Sequence, residues 1–451
     1  MALDLRDYHG RLVLKLGRQL AGNEQPLRLQ KKSISNLFRY DGRQFSAGRP
    51  VDLRRFNRPL YCDVSAQTLD VQGLATYQKI VDFTLPLGLV PSITPELKAI
   101  TIGGAVVGIG LESNSFKFGF CHDGLLEAEV LLPDGRVVVA RADNQYSDLF
   151  YGLANSYGTL GYILRAKIKL IAAKKYVALT SKKFDDTKLF LKALKSATEN
   201  SQNDYIESLV YAKNELYLVT CRQVSRAENL TSIYGTTIFY KTISQPAKLN
   251  LTTKDYLFRY DPEWFWALPE TPALQIFRRL APPSLRRSGV YTRYVAISRR
   301  RAAKKSPAEN PADQPTEQLT QDWQVPWPQA QKLLDFALDN LDLAGRAIMA
   351  VPLKTAARAT LYPLSQNQLY LNLGSYNYVN RQPNQPPHHS TKIMDDFCFH
   401  HAGIKMLYST TFLDEAEFNK IYNGPKCAAL KRKYDPKNLT PSLFEKAVRG
   451  R

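Results

Sequence analysis

The sequence predicts an α+β fold in two domains, and three observations carry that prediction. At 451 residues the chain exceeds what one compact core holds. Its first 175 residues are rich in glycine and short β-type runs, one of them a hairpin. From 176 to about 400, candidate strands alternate with candidate helices, and no internal repeat is visible. The composition is globular, with 44% apolar, 23% charged and 11% aromatic residues, which argues against extensive disorder.

Taken in order, the spacing from Val71 to Gly88 predicts a helix around Thr76-Tyr-Gln-Lys-Ile-Val-Asp-Phe83. Leu126 to Ala140 predicts a hairpin, two apolar strands around the turn-forming Pro133-Asp134-Gly135. Tyr162 to Ile171 alternates well enough for a half-buried strand. In the second region, Glu207–Tyr211 and Glu215–Cys221 read as strands joined by a turn at Lys213-Asn214. Gln329 to Leu343 reads as a helix and Gln368 to Leu373 as a strand. Ala302 to Gln321 is polar with three prolines and reads as an exposed linker. In the C-terminal stretch, 401–451, a strand at Ile404–Tyr408 precedes a helix from about Asp414.

Several functions are excluded or disfavoured. No run approaches the roughly 18 apolar residues that span a bilayer. The start, Met1-Ala-Leu-Asp-Leu-Arg-Asp7, lacks the basic and apolar pattern of a secretory signal, so a cytoplasmic location is expected. The five cysteines (62, 121, 221, 398 and 427) are scattered without metal-ligand spacing, which predicts free thiols. The histidine pairs at 388–389 and 400–401 offer no ligand geometry, so no metal is expected.

The formal charge of +20 predicts a phosphate-rich partner. Residues 277–305 hold ten Arg or Lys and no acid, interleaved with apolar side chains. Upstream lies an aromatic cluster of Tyr256, Phe258, Tyr260, Trp264, Phe265 and Trp266. One reading is a peripheral contact with the cytoplasmic face of an anionic membrane. The other is a solvated basic loop over core aromatics. Nucleic acid is disfavoured, since no binding motif accompanies the charge.

The glycine-rich segment Thr101-Ile-Gly-Gly-Ala-Val-Val-Gly-Ile-Gly-Leu-Glu-Ser113 points to a cofactor. Gly108-x-Gly110-x-x-Ser113 nearly fits the dinucleotide fingerprint, but a hairpin follows it where that fold requires a helix and a parallel strand. The alternative is a loop whose backbone lies on a flat, phosphate-bearing cofactor.

The stretch from Thr94 to Gly119 strongly resembles the FAD-binding (PCMH-type) domain of the vanillyl-alcohol-oxidase superfamily, in particular its delta(24)-sterol reductase (diminuto) branch. The Pro-Asp-Gly hairpin, Ser147-Asp-Leu-Phe-Tyr151 and Tyr157-Gly-Thr-Leu-Gly-Tyr-Ile163 follow in the order of that family. The resemblance implies a two-subdomain FAD-binding domain over 1–175 and an α+β substrate (cap) domain over 176–400, with 401–451 packing back near the flavin. It implies that Thr101, Gly103, Gly104, Gly108, Gly110, Ser113, Ser115 and Gly119 line the pyrophosphate and ring. Gly158, Thr159, Gly161 and Ile163 form the opposite wall.

The family's early glycine-rich loop is replaced here by the glycine-free Lys31-Lys-Ser-Ile-Ser-Asn-Leu-Phe-Arg39. There Ser33, Ser35, Asn36 and Arg39 stand in for backbone donors, as in bacterial relatives resembling reductases of methylene-branched phospholipid acyl chains. Only Cys121 and His122 lie near the motif as attachment points, so the FAD is expected to be non-covalent.

Two chemistries compete. One is reduction of a carbon–carbon double bond in a lipid, with NADPH reloading the flavin and Tyr408, His122 or Glu112 giving the proton. Each of the three also has a bland reading, as a packed strand aromatic, a structural histidine and a brace for the glycine loop. The other is oxidation of a polyol or lipid-linked sugar. Against it, Leu407-Tyr-Ser-Thr-Thr411 lacks the lysine that sugar-oxidising relatives place after a Leu-Tyr pair.

Overall fold

The computed structural model describes residues 4–31, 48–234, 239–244, 248–262, 276–277, 280–291, 293–294 and 316–450. After helix α1 (Arg6–Leu20), strands β1 (Leu27–Gln30) and β2 (Arg49–Asp52) pair in parallel. A second sheet has the order β3 (Pro59–Asp63), β4 (Thr68–Gln72), β8 (Tyr162–Ala172), β6 (Leu125–Leu131), β7 (Val137–Arg141), and β5 (Leu89–Pro91) also pairs with β8. The expected helix is α2 (Tyr77–Thr84), started by the Thr76 hydroxyl, which accepts from Lys79 N. The expected hairpin is β6–β7, and β8 covers the strand expected from Tyr162.

Between β5 and β6 run two short helices, α3 (Ile102–Val107) and α4 (Ser115–Phe118), and a 3-10 turn (Cys121–Gly124). The glycine segment, expected as a loop, is thus partly helical. A capping threonine and the buried Ile102, Ala105 and Val106 outweigh the poor helix propensity of glycine over so short a span. Helix α5 (Ser147–Gly152) lies between β7 and β8.

The chain leaves this sheet at Ala172 and enters an eight-stranded sheet at Tyr176. Its order is β12 (Lys248–Thr252), β9 (Tyr176–Phe184), β11 (Glu215–Val224), β10 (Tyr205–Ala212), β14 (Ile348–Lys354), β15 (Leu369–Asn380), β13 (Thr316–Pro326), β16 (Ile404–Lys405). The linker expected over 302–321 is therefore a strand from Thr316. Leu319, Trp323 and Val325 are buried there, and alternation overrides the polar composition. Its residues 302–315 lie outside the described residues. The strand expected at 404–408 stops at Lys405, beyond which Met406 and Leu407 bury against a separate apolar cluster.

The remaining described helices are α6 (Thr187–Glu199), α7 (Phe239–Ile243), α8 (Thr253–Leu257), α9 (Ala330–Asn340), α10 (His389–His400), α11 (Glu415–Ile421), α12 (Gly424–Tyr434) and α13 (Leu443–Ala447). Helices α6, α9 and α10 cover one face of the large sheet, packing on Ile206, Val210, Trp323, Leu371 and Leu373. The period of two then sends Glu207, Asp322, Gln324, Asn372 and Tyr376 to the opposite face. There Tyr205, Leu209 and Val219 share a core with Leu69, Val130 and Ile168 of the second sheet. Polar residues are thereby placed between the two sheets.

The aromatic cluster is corrected in part: Tyr256 and Phe258 are fully buried and Tyr260 nearly so, which makes them core. Trp264, Phe265 and Trp266 lie outside the described residues.

Candidate functional site

Thr101 caps α3, its hydroxyl accepting from Gly104 N at 3.3 Å. Gly103 N donates to Gly73 O at 2.8 Å, and a Cβ at Gly103 would stand 2.8 Å from that oxygen. Cβ atoms would come equally close to Gly104 O at Gly108 and to Cys121 Sγ at Gly110, and closer still to Asp123 at Gly119. These four glycines serve close packing. Gly104 differs, being exposed, with only the Thr101 hydroxyl near its missing side chain. Ser115 Oγ accepts from Glu112 N at 2.9 Å, and Ser113 Oγ bonds Tyr256 OH at 3.1 Å.

The second expected wall meets this segment directly. Tyr157 N donates to Val107 O at 3.2 Å, which sets the 155–161 turn against the end of α3. Asn155, Tyr157, Gly158 and Gly161 all have positive φ, and the turn is held from within, Ser156 N donating to Leu153 O, Gly158 N to Ser156 Oγ and Thr159 N to Ser156 O. Gly158 is buried, and a Cβ there would touch Gly161 O and the Tyr162 ring at 3.6 Å and Lys446 Nζ at 3.7 Å. Gly161 is packed, with a Cβ position 2.5 Å from Leu131 O, and Ile163 is buried in β8 opposite Val130. Thr159 O accepts from Thr440 Oγ1 at 2.6 Å, and Leu407 N donates to Tyr157 OH at 3.1 Å. The C-terminal segment thus closes over the turn.

The exposed Gly104, with the buried Asn155 amide of the 155–161 turn lacking any partner, fits a flat, phosphate-bearing cofactor. Ser33, Ser35, Asn36 and Arg39 lie outside the described residues. Lys31, the last described residue before them, is enclosed, and burial pulls its ammonium down to about 8.

Between the sheets lies a dense polar cluster. Arg259, 1% exposed, donates Nε and Nη2 to the Glu207 carboxylate at 2.8–3.1 Å and Nη2 to Glu112 Oε1 at 3.0 Å. Its Nη1 donates to Tyr256 O, and its guanidinium lies between the Tyr256 and Tyr260 rings. Glu112 Oε1 also accepts from Ser113 N at 2.6 Å. One arginine therefore ties the glycine segment to β10 of the large sheet.

Beside it, Asp322 Oδ2 accepts from Tyr408 OH at 2.7 Å and Tyr376 OH at 2.9 Å, while Oδ1 accepts from Asn372 at 2.7 Å. Burial raises the Asp322 carboxyl, against those three donors, and raises both phenols, which face the Asp322 carboxylate as well.

Glu96 completes the group. Burial first, and then the neighbouring Glu112, push its carboxyl well above the usual range, with Arg259 opposing and Asp322 and Glu207 adding to the rise. Glu96, Tyr376 and Tyr408 each keep part of their surface exposed.

Tyr408 and Glu112 thus both belong to the buried polar groups but do different work. Tyr408 is half-open beside Asp322, whereas Glu112 is held by Arg259 as a brace. His122 stands apart, stacked on Phe120 at 5.2 Å with Nδ1 buried and unpartnered, and burial lowers its pKa against the nearby Asp123 carboxylate. Sequence reasoning missed Glu96, Asp322, Tyr376 and Arg259. The signal for Glu96 was an acid five residues ahead of the capping Thr101, and for Asp322 a charge inside an apolar alternation.

Comparison with known proteins gives a matching outcome. A model of an FAD binding domain matches residues 32–141. A delta(24)-sterol reductase of Pisum sativum is 30% identical over 239 residues, 48% of this chain and 42% of the relative. That of Homo sapiens is 24% identical over 410 residues, 87% of this chain and 76% of the relative. Cytokinin dehydrogenase 7 of Oryza sativa is 27% identical over 156 residues, 34% of this chain and 30% of the relative. The chain therefore spans well under half of the pea relative and about three quarters of the human one. These matches bear out the resemblance read from the sequence: an FAD-binding domain of vanillyl-alcohol-oxidase type, in a chain related to the sterol reductases over most of its length.

Proposed function

We propose that this FAD-binding oxidoreductase reduces a carbon–carbon double bond in a lipid, an acyl chain or a sterol-like molecule, with NADPH as electron donor. One observation carries the choice of reaction: Asp322 gathers the partly exposed phenols of Tyr376 and Tyr408, and burial raises the carboxyl of the nearby Glu96, so the groups present are proton donors. Saturating an alkene requires a hydride at one carbon and a proton at the other. Oxidising an alcohol requires a base that takes a proton, and a carboxyl held neutral by burial is poorly suited to that.

FAD, when bound, supplies the hydride chemistry. In this reading residues 1–175 form the two-subdomain FAD-binding domain and 176–400 the cap. Gly104 and the 155–158 turn hold the non-covalent cofactor from facing sides, and Ser35, Asn36 and Arg39 complete the clamp. Glu96 holds the proton, Tyr408 and Tyr376 orient the alkene through Asp322, and Arg259 fixes Glu112 so that the glycine segment keeps its place. The alkene-reductase names of the sterol reductase relatives support the same choice.

The experiment is anaerobic. NADPH added to the yellow protein should bleach the visible flavin band, and an unsaturated phospholipid or sterol should restore it. A flavin that NADPH never bleaches but a polyol does would overturn the proposal in favour of alcohol oxidation.

A further inference from the structure

Eleven large apolar residues are exposed among the described residues, and five of them fall within 276–294: Ile276, Phe277, Leu280, Leu285 and Tyr294. Leu280 is 78% exposed, the most of any. The other six are scattered along the chain, as ordinary surface leucines and valines are. The same stretch carries exposed Arg287 and Arg293, and the sequence has no acid between 277 and 305. An apolar patch bordered by bases alone suits a surface that is apolar inside and negative at its rim.

The place of the patch matters as much as its chemistry. Asp261, buried, accepts from Ser288 Oγ and Ser288 N and, through Oδ1, from Lys98 N at 2.8 Å. A Cβ on Gly289 would stand 3.8 Å from Ala99 Cβ. Arg286 donates to Tyr234 O at 2.7 Å, and Lys98 Nζ reaches Tyr234 OH at 2.6 Å. The patch is thus fastened to residues 98 and 99, two and three positions after Glu96.

We infer that the 276–294 stretch docks on an anionic lipid bilayer and sets the Glu96 site against it. A lipid tail then enters the site from the bilayer without crossing water. No helix among the described residues is long and apolar enough to cross a membrane. The apolar side chains enter the headgroup boundary, and Arg287 and Arg293 meet lipid phosphate. The inference about the Glu96 site rests on the lipid reading proposed above, whereas the docking does not.

The test is co-sedimentation of the full-length, FAD-loaded protein with vesicles of phosphatidylglycerol and phosphatidylcholine in equal parts, and of phosphatidylcholine alone. Binding should favour the anionic vesicles and weaken at about 0.5 M salt. I276S/L280S and R287E/R293E should each weaken it about tenfold or more while the flavin spectrum is kept. Turnover of detergent-dispersed lipid should be unchanged in both. Unaltered vesicle binding in both variants would overturn the inference, as would wild-type protein that ignores vesicles and forms a dimer that I276S/L280S breaks. Vesicle binding by a protein that reduces no lipid would leave the docking in place and remove the lipid reading.

Discussion

Replacing Arg259 with methionine tests the link between the two halves of the site. Methionine keeps the apolar stem but removes the guanidinium from between Glu112, 6% exposed, and Glu207, 2% exposed. The Arg259 side chain makes five hydrogen bonds: three to Glu207, one to Glu112 and one to Tyr256 O. Breaking a buried ion pair by removing one partner costs about 3–5 kcal/mol, because a charge is left in the interior without compensation. Two carboxylates depend on this cation, so R259M should lose at least the lower end of that range in urea denaturation at pH 7. R259K should lose part of it, since an ammonium cannot reproduce the forked contact. The triple variant R259M/E112Q/E207Q should recover much of the loss, and that recovery separates charge from packing. Because Glu112 braces the glycine segment, R259M should also bind FAD more weakly in a fluorescence titration. A loss below about 1 kcal/mol with unchanged FAD affinity would refute the claim that this arginine joins the glycine segment to β10 through charge.

G104A should fold within about 1 kcal/mol of wild type but bind FAD about tenfold more weakly, because its open side faces the cofactor and not the core. G161A has the opposite expectation, a stability loss of about 2–4 kcal/mol in the same denaturation assay, since φ is +139° and Leu131 O blocks the Cβ position. Y408F removes one donor from Asp322 and leaves Tyr376 and Asn372, so stability should fall by about 1–3 kcal/mol and kcat by about tenfold or more. For Glu96 the folded carboxyl binds its proton more tightly than the unfolded one. Its stabilisation is complete below the unfolded value of 4.5 and is lost as pH rises through the raised folded value. Stability against pH should therefore fall on the alkaline side in wild type and less so in E96Q, and wild-type turnover should fall over the same window.

Much of the architecture was legible because periodicity is a local property. The β6–β7 hairpin, β8, α2 and α9 follow from apolar spacing and turn residues that the chain carries itself. The start of β13 was not, because Thr316–Gln321 is polar in composition. Its strand character comes from six cross-strand partners in β15, which no local window contains. The cofactor segment was legible as a cofactor segment, but not the division of labour within it. Whether a glycine faces a ligand or a neighbouring carbonyl depends on Gly73, Cys121 and Leu131, all distant in sequence.

The proton-holding group was the least legible. Glu96 gains its properties from burial and then from Glu112, Arg259 and Asp322, which meet only when the two sheets pack together. Arg259 sits within an aromatic run that read equally as membrane surface or core, and its burial decides for core.

The central claim is that the site adds hydrogen across a lipid double bond, and product analysis in deuterated water tests it most directly. With NADPH as donor, mass spectrometry should show the lipid gaining two hydrogens, one of them a solvent deuteron at a former alkene carbon, and E96Q should slow that gain. A product that has lost two hydrogens from an alcohol carbon, with the double bond intact, would contradict the account.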